Sequence, residues 1–142
     1  YNRLVEEIGN VAILLAKQHS KVIEMALEDL KRKKKECKKV VIDQFSSKQN
    51  RVRDELGTLG KGVEFEQYHK GESDIAVACA SVFARAIFLE EMQKMSDSYY
   101  FSFPKGASNV IPSAKEFLAK HGMDELSKVA KVSFKTTQSI LK

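Results

Sequence analysis

One short run constrains this fold more than any other: Val40-Val41-Ile42-Asp43-Gln44-Phe45. Three consecutive β-branched side chains read as a strand buried on both faces and ending in an acid. Such a strand needs neighbours, and the chain offers one further candidate. Val63, Phe65 and Gln67 alternate with Glu64, Glu66 and Tyr68, giving a second strand with two unlike faces. A two-stranded sheet is marginal by itself. Most of the remaining pattern is helical. Leu4, Val5, Ile8, Val11, Ala12, Leu15, His19, Val22, Ile23, Ala26 and Leu30 recur at three- and four-residue steps. That spacing predicts one continuous helix of about 30 residues, ~45 Å long.

A second long helix is predicted to open at Glu72-Ser73, with Ile75, Ala78, Cys79, Val82, Phe83, Ala86 and Leu89 as its apolar stripe. Ser46 to Gly62 reads as an irregular connection with some local helix. Ser96 to Asn109 reads as a loop containing Pro104 and Gly106. A helix from Pro112 to His121 should stop at Gly122, and the next should bury Leu126, Val129 and Ala130. Thr137, Ile140 and Leu141 suggest a last short packing element. Helix, strand, connection, strand, helix, loop and helices make an α/β order.

The 142 residues suffice for one domain, and 43% hydrophobic content supports a packed core rather than disorder. The formal charge of +5 suits an anionic partner without specifying one. Cys37 and Cys79 lie far apart with no CxxC spacing, which suggests a reduced, cytoplasmic protein. No apolar run approaches the roughly 20 residues of a membrane helix, so no membrane partner is expected. The chain opens on Tyr1 and runs directly into an amphipathic pattern. With so few strands, this sets the expectation that upstream sequence is missing.

Asp43 ends one strand, and Glu72 follows the other at a helix start. Carboxylates from successive strands can converge at one sheet edge and offer the oxygen ligands that a hard cation needs. The alternative is structural, with Asp43 capping a turn and Glu72 complementing a helix N-terminus. The basic stretch from Lys31 to Lys39 can hold phosphates or simply complement a helix C-terminus. Phe103-Pro104-Lys105-Gly106-Ala107-Ser108-Asn109 gathers a cation, a flexible glycine, backbone N–H groups and a hydroxyl, the donors phosphate oxygens accept from. Its alternative is an ordinary turn. The adjacent Asp54-Glu55 pair follows a strongly polar stretch, so no buried strand presents it. His19 reads as a packed side chain, His69 as a weak accessory beside Asp43, and His121 as a helix-end residue. Tyr99-Tyr100-Phe101 reads as packing rather than as a nucleotide platform.

Four stretches together resemble ribonuclease HIII, within the type II ribonuclease H family. They are Val41-Ile42-Asp43-Gln44-Phe45, Lys70-Gly71-Glu72-Ser73, the helix Val77-Ala78-Cys79-Ala80-Ser81-Val82-Phe83-Ala84-Arg85, and Phe103-Pro104-Lys105-Gly106-Ala107-Ser108. Their order and spacing fit over essentially the whole chain. The resemblance implies a ribonuclease H-like α/β fold, a mixed sheet with flanking helices, truncated here at the N-terminus. Residues 1–142 would form a partial catalytic domain without the first strands or the N-terminal substrate-binding domain. It implies Mg²⁺- or Mn²⁺-dependent endonucleolytic cleavage of the RNA strand of RNA–DNA hybrids by two metal ions, leaving a 3′-hydroxyl and a 5′-phosphate.

Of the family's four acids, Asp43 matches the third and Glu72 the fourth. The first two, an adjacent Asp-Glu pair, have no counterpart before Asp43. The chain alone is therefore expected to be inactive. Lys105 and Ser108, and more distantly Arg85, are the substrate-binding candidates. Ser133 stands where the family commonly has His, which puts any role for that imidazole in doubt. A ribonuclease HII is disfavoured, because that relative usually supplies Asp at Glu72. The missing acids keep a second reading open, a non-catalytic nucleic-acid-binding or scaffold module.

Overall fold

The computed structural model describes residues 1–48, 50–106 and 109–140. It contains α1 (Asn2–Ile8), α2 (Val11–Arg32), β1 (Lys39–Asp43), α3 (Arg51–Glu55), α4 (Thr58–Lys61), β2 (Glu64–Tyr68), α5 (Ile75–Tyr99), α6 (Val110–Val129) and α7 (Lys135–Ile140). A short 3₁₀ turn, Gly71–Ser73, separates β2 from α5. The chain forms two compact units, one of residues 7–82 and one of residues 1–6 with 83–142.

In the 7–82 unit, β1 and β2 pair in parallel, with Val40 opposite Phe65 and Asp43 opposite Tyr68. The α/β class expected from the sequence holds, with a small parallel sheet. Ile42 is the buried residue of β1, while Val40 and Val41 are half-buried. The strand thus buries one face more fully than the other, because the sheet has two strands among the described residues. Ala16, Ile23 and Leu27 of α2 pack on Ile42, Val52 and Leu56.

The expected continuous first helix is two helices. Gly9 takes φ +69°, and Asn10 is extended. The Asn10 side-chain oxygen accepts from Ala12 N–H at 2.9 Å and Ile13 N–H at 3.2 Å. Asn10 is therefore an N-cap, and it starts α2 afresh although the apolar spacing runs through it.

The connection from Ser46 to Gly62 contains α3 and α4, as its local helix signal suggested. No side chain at its own N-cap, Gly57, serves α4. Glu24 of α2 does so from a distance, accepting from Leu59 N–H at 3.1 Å and Gly60 N–H at 2.6 Å. A Cβ on Gly57 or Gly60 would fall 2.7 Å from that side chain, so the two glycines admit the carboxylate.

The second long helix begins at Ile75, later than Glu72-Ser73. Asp74 caps it, its Oδ1 accepting from Ala76 N–H at 2.8 Å and more weakly from Val77 N–H. The helix also runs on to Tyr99, so the following loop begins at Tyr100, with φ 49°, rather than at Ser96. Its expected stripe is not buried: Ile75, Val82 and Phe83 are all exposed. Apolar residues surround α5, so periodicity does not select one face.

In the other unit, Phe101, Phe117 and Leu126 are buried. Phe117 lies 5.2 Å, ring centre to ring centre, from Tyr99, Phe101 and Phe103, and stacks on His121 at 4.5 Å. His121 is thus a packed side chain, and Tyr99 and Phe101 pack as expected, whereas Tyr100 is 98% exposed and does not. Gly122 has φ 81° and ψ 176°, a break inside α6 where the sequence placed a helix end. Leu126 is buried, with Val129 and Ala130 half-buried beside it. Thr137 and Ile140 of α7 are buried, while Leu141 lies outside the described residues.

Candidate metal centre

Parallel pairing brings the C-terminal ends of β1 and β2 to the same sheet edge. Asp43 closes β1 opposite Tyr68, and Gln44 N–H extends the ladder to the Tyr68 carbonyl at 3.1 Å. Beyond β2 the chain must turn sharply back. Lys70 makes that turn in the left-handed region, with φ 58° and ψ 41°. Ser73 N–H donates to the Lys70 carbonyl at 3.1 Å, and Asp74 N–H to the Gly71 carbonyl at 2.9 Å. These bonds close the 3₁₀ turn that carries Glu72.

Gly71 fixes this turn against Asp43. It is buried, and its N–H donates to Asp43 Oδ1 at 2.9 Å. A Cβ here would meet Asp43 Cα at 2.8 Å, Asp43 N at 3.0 Å and Asp43 Cβ at 3.1 Å. Only glycine permits the approach without moving backbone. Glu72 is the next residue, so it is held one peptide unit from the Asp43 contact.

Asp43 and Glu72 are both exposed. Among the described residues, neither Asp43 Oδ2 nor the Glu72 carboxylate has a hydrogen bond or ion pair. One Asp43 oxygen is oriented by the backbone, and the other is open. Such an arrangement offers hard oxygen donors suited to Mg²⁺ or Mn²⁺. Among the described residues, no group of three His, Cys, Asp or Glu is arranged to hold a metal.

The surroundings of this edge are partly polar and buried. Gln44 Nε2 donates to the Ser46 carbonyl at 2.8 Å, but Gln44 Oε1 and both amide atoms of Gln67 are buried without partners among the described residues. His19 stacks on Phe45 with ring centres 5.0 Å apart and planes 10° from parallel. Burial holds its imidazole below the ordinary histidine pKa. His69 is exposed just after β2.

The other candidates distribute unequally. Lys105 is exposed in the turn after α5, and Ser108 lies outside the described residues. Arg85 is exposed on α5, with its guanidinium 5.0 Å from the Phe88 ring centre. Both Lys105 and Arg85 belong to the unit of residues 83–142, whereas Asp43 and Glu72 belong to that of residues 7–82. Asp54 and Glu55 sit on α3, where the Glu55 carbonyl accepts from Ser20 Oγ at 2.6 Å. The close packing of Gly71 was not read from the sequence. Its signal was there, a glycine between a left-handed lysine and the acid.

Comparison with known proteins identifies the family. The family model described as ribonuclease HII matches residues 6–137. Ribonuclease HIII of Protochlamydia amoebophila is 33% identical over 142 residues, covering 99% of this chain and 45% of that protein. Ribonuclease HIII of Chlamydia muridarum is 34% identical, covering 99% and 46%. The chain spans about half the length of the curated relatives it matches. Among solved structures, Bst ribonuclease HIII in complex with Mn²⁺ superposes with a TM-score of 0.84 at 28% identity, over 99% of this chain and 46% of that one. A mutant of the same enzyme gives a TM-score of 0.85 at 27% identity. With the family pattern running through both β-strands, the Gly71 turn and the helices that follow, the chain belongs to the ribonuclease HII family.

Proposed function

We propose that this chain is part of a ribonuclease H-like catalytic domain that hydrolyses the RNA strand of RNA–DNA hybrids with Mg²⁺ or Mn²⁺. The observation that carries the reading is the Asp43–Gly71–Glu72 edge, where two exposed carboxylates share one end of a parallel strand pair. Asp43 and Glu72 would be the metal ligands. Divalent ions held there would polarise the scissile phosphate and lower the pKa of an attacking water. Gly71 N–H orients one Asp43 oxygen and leaves Oδ2 to face a cation. Lys105 and Ser108, and Arg85 with less support, are proposed to contact the nucleic-acid backbone. A cytoplasmic location is part of the same reading, supported by two free cysteines, Cys37 and Cys79. Among the described residues, no helix is long and apolar enough to cross a membrane.

Two carboxylates are too few to hold two cations with their charge balanced. We therefore assign the complete activity to a longer protein, in which further acids join this pair. The competing reading is a non-catalytic nucleic-acid-binding or scaffold module. A chimera joining the upstream half of the Protochlamydia relative to this chain separates the two. Incubated with a labelled hybrid and Mn²⁺, it should release RNA fragments ending in 5′-phosphate. Asp43→Asn and Glu72→Gln should each abolish release while leaving the melting temperature nearly unchanged. The chain alone should cleave little. A folded chimera that binds hybrid without cutting it would establish the binding module instead.

A further inference from the structure

The C-terminal end of α2 presents an unusual combination of charge and backbone conformation. Its last turn closes as a Schellman motif: Lys34 N–H donates to the Lys31 carbonyl at 3.0 Å and Lys35 N–H to the Leu30 carbonyl at 2.9 Å. The residue at the left-handed position of this motif is usually glycine. Here it is Lys34, with φ 54°. A strained position occupied by a charged side chain suggests that the side chain is wanted there.

The charges around it are unequally committed. Arg32 and Lys33 face Asp29 at 3.6 and 2.7 Å, and Lys39 pairs with Glu66 at 3.1 Å. Lys31, Lys34, Lys35 and Lys38 are exposed and have no ion pair among the described residues. Glu36 is the only acid between Lys31 and Lys39 in sequence. The helix dipole explains cations within the last turn. It does not explain Lys34, Lys35 and Lys38, which lie beyond the C-cap at Lys33.

We infer that Lys31, Lys34, Lys35 and Lys38 form a docking surface for a nucleic-acid phosphate backbone, separate from the Asp43 edge. The segment leads into the start of β1, whereas Asp43 ends that strand. Four residue steps along a strand separate Lys39 from Asp43 by about 13 Å. The surface therefore holds a duplex at the opposite end of β1 from the carboxylates. A lipid surface is the weaker occupant. Membrane-bound segments insert apolar side chains beside their cations, and no exposed large apolar side chain lies between Lys31 and Lys39. The nucleic-acid identity of the partner rests on the proposed function.

The test is binding of a fluorescein-labelled RNA–DNA hybrid by the 142-residue chain, followed by anisotropy across a KCl series. The variant carries Lys31→Gln, Lys34→Gln, Lys35→Gln and Lys38→Gln. Each lost phosphate contact lowers the salt slope by about 0.9. The variant should therefore lose about 3.6 in slope and bind more than about tenfold more weakly at moderate salt. A second variant, Lys34→Gly with Lys35→Gln, relieves the left-handed strain and should lose about 2 in slope while remaining folded. Unchanged slopes in a parent that binds hybrid would overturn this surface and leave the proposed function standing. A parent that binds no hybrid would overturn this surface, while the proposed function is decided separately by the chimera. Vesicles containing phosphatidylserine form the remaining arm: vesicle binding lost in the variant, with hybrid binding unaffected, would reassign the surface to lipid.

Discussion

Replacing Gly71 by alanine adds one methyl group at the point where the turn after β2 rests on Asp43. The new Cβ would lie 2.8 Å from Asp43 Cα and 3.0 Å from Asp43 N. Both are backbone atoms, so no flexible side chain can swing aside. The turn must move by several tenths of an ångström, and overpacking of this kind costs about 1–3 kcal/mol. Movement also lengthens the Gly71 N–H to Asp43 Oδ1 bond, now 2.9 Å. That bond has a charged acceptor but an exposed one, so about 1 kcal/mol is the appropriate allowance. The expected total is about 2–4 kcal/mol, against a stability of roughly 7–21 kcal/mol for a chain of 142 residues. The melting temperature should fall by roughly 10 °C. Gly106→Ala is the control, because nothing among the described residues lies within 4 Å of its Cβ and its φ is not positive. Circular dichroism melting of both variants checks the prediction. A Gly71→Ala protein as stable as the parent would refute the close packing and the orientation of Asp43 that depends on it.

Other consequences follow from the same contacts. Burial lowers the His19 pKa, so the unfolded chain binds protons more readily than the folded one below about pH 6.5. Stability should fall as pH drops through the ordinary imidazole range, and His19→Phe should flatten that part of a denaturation series. Lys34→Gly should stabilise the protein by about 0.5–1 kcal/mol, because relief of the left-handed strain exceeds the added chain entropy of glycine; a lower urea midpoint would contradict this. Phe117→Ala should cost about 3–5 kcal/mol, since the ring is 1% exposed at the centre of the aromatic cluster. A loss under about 1 kcal/mol would show that the cluster collapses to fill the space.

Some of this architecture was legible because short-range chemistry dictated it. The β-branched run gave β1, the alternation ending at Tyr68 gave β2, and Gly122 marked the break in α6. Helix starts were harder to see. Gly9-Asn10 separates α1 from α2 without disturbing the apolar spacing, and Asp74 rather than Glu72 caps α5. In both places a side-chain hydrogen bond to backbone overrides periodicity. The stripe predicted on α5 is not buried for another reason: apolar residues surround the helix, so their spacing selects no face. At the candidate site, the two carboxylates were readable from strand ends. The packing of Gly71 on Asp43 was not, because a long-range approach leaves only a single glycine in the sequence.

Mn²⁺ titration of the isotope-labelled chain, followed by paramagnetic broadening of amide signals, tests the central claim most directly. Broadening should begin at Asp43, Gly71 and Glu72 and be lost in Asp43→Asn. Equal broadening in Asp43→Asn, or broadening centred on Asp54 and Glu55, would show that the Asp43–Glu72 edge is not the metal site.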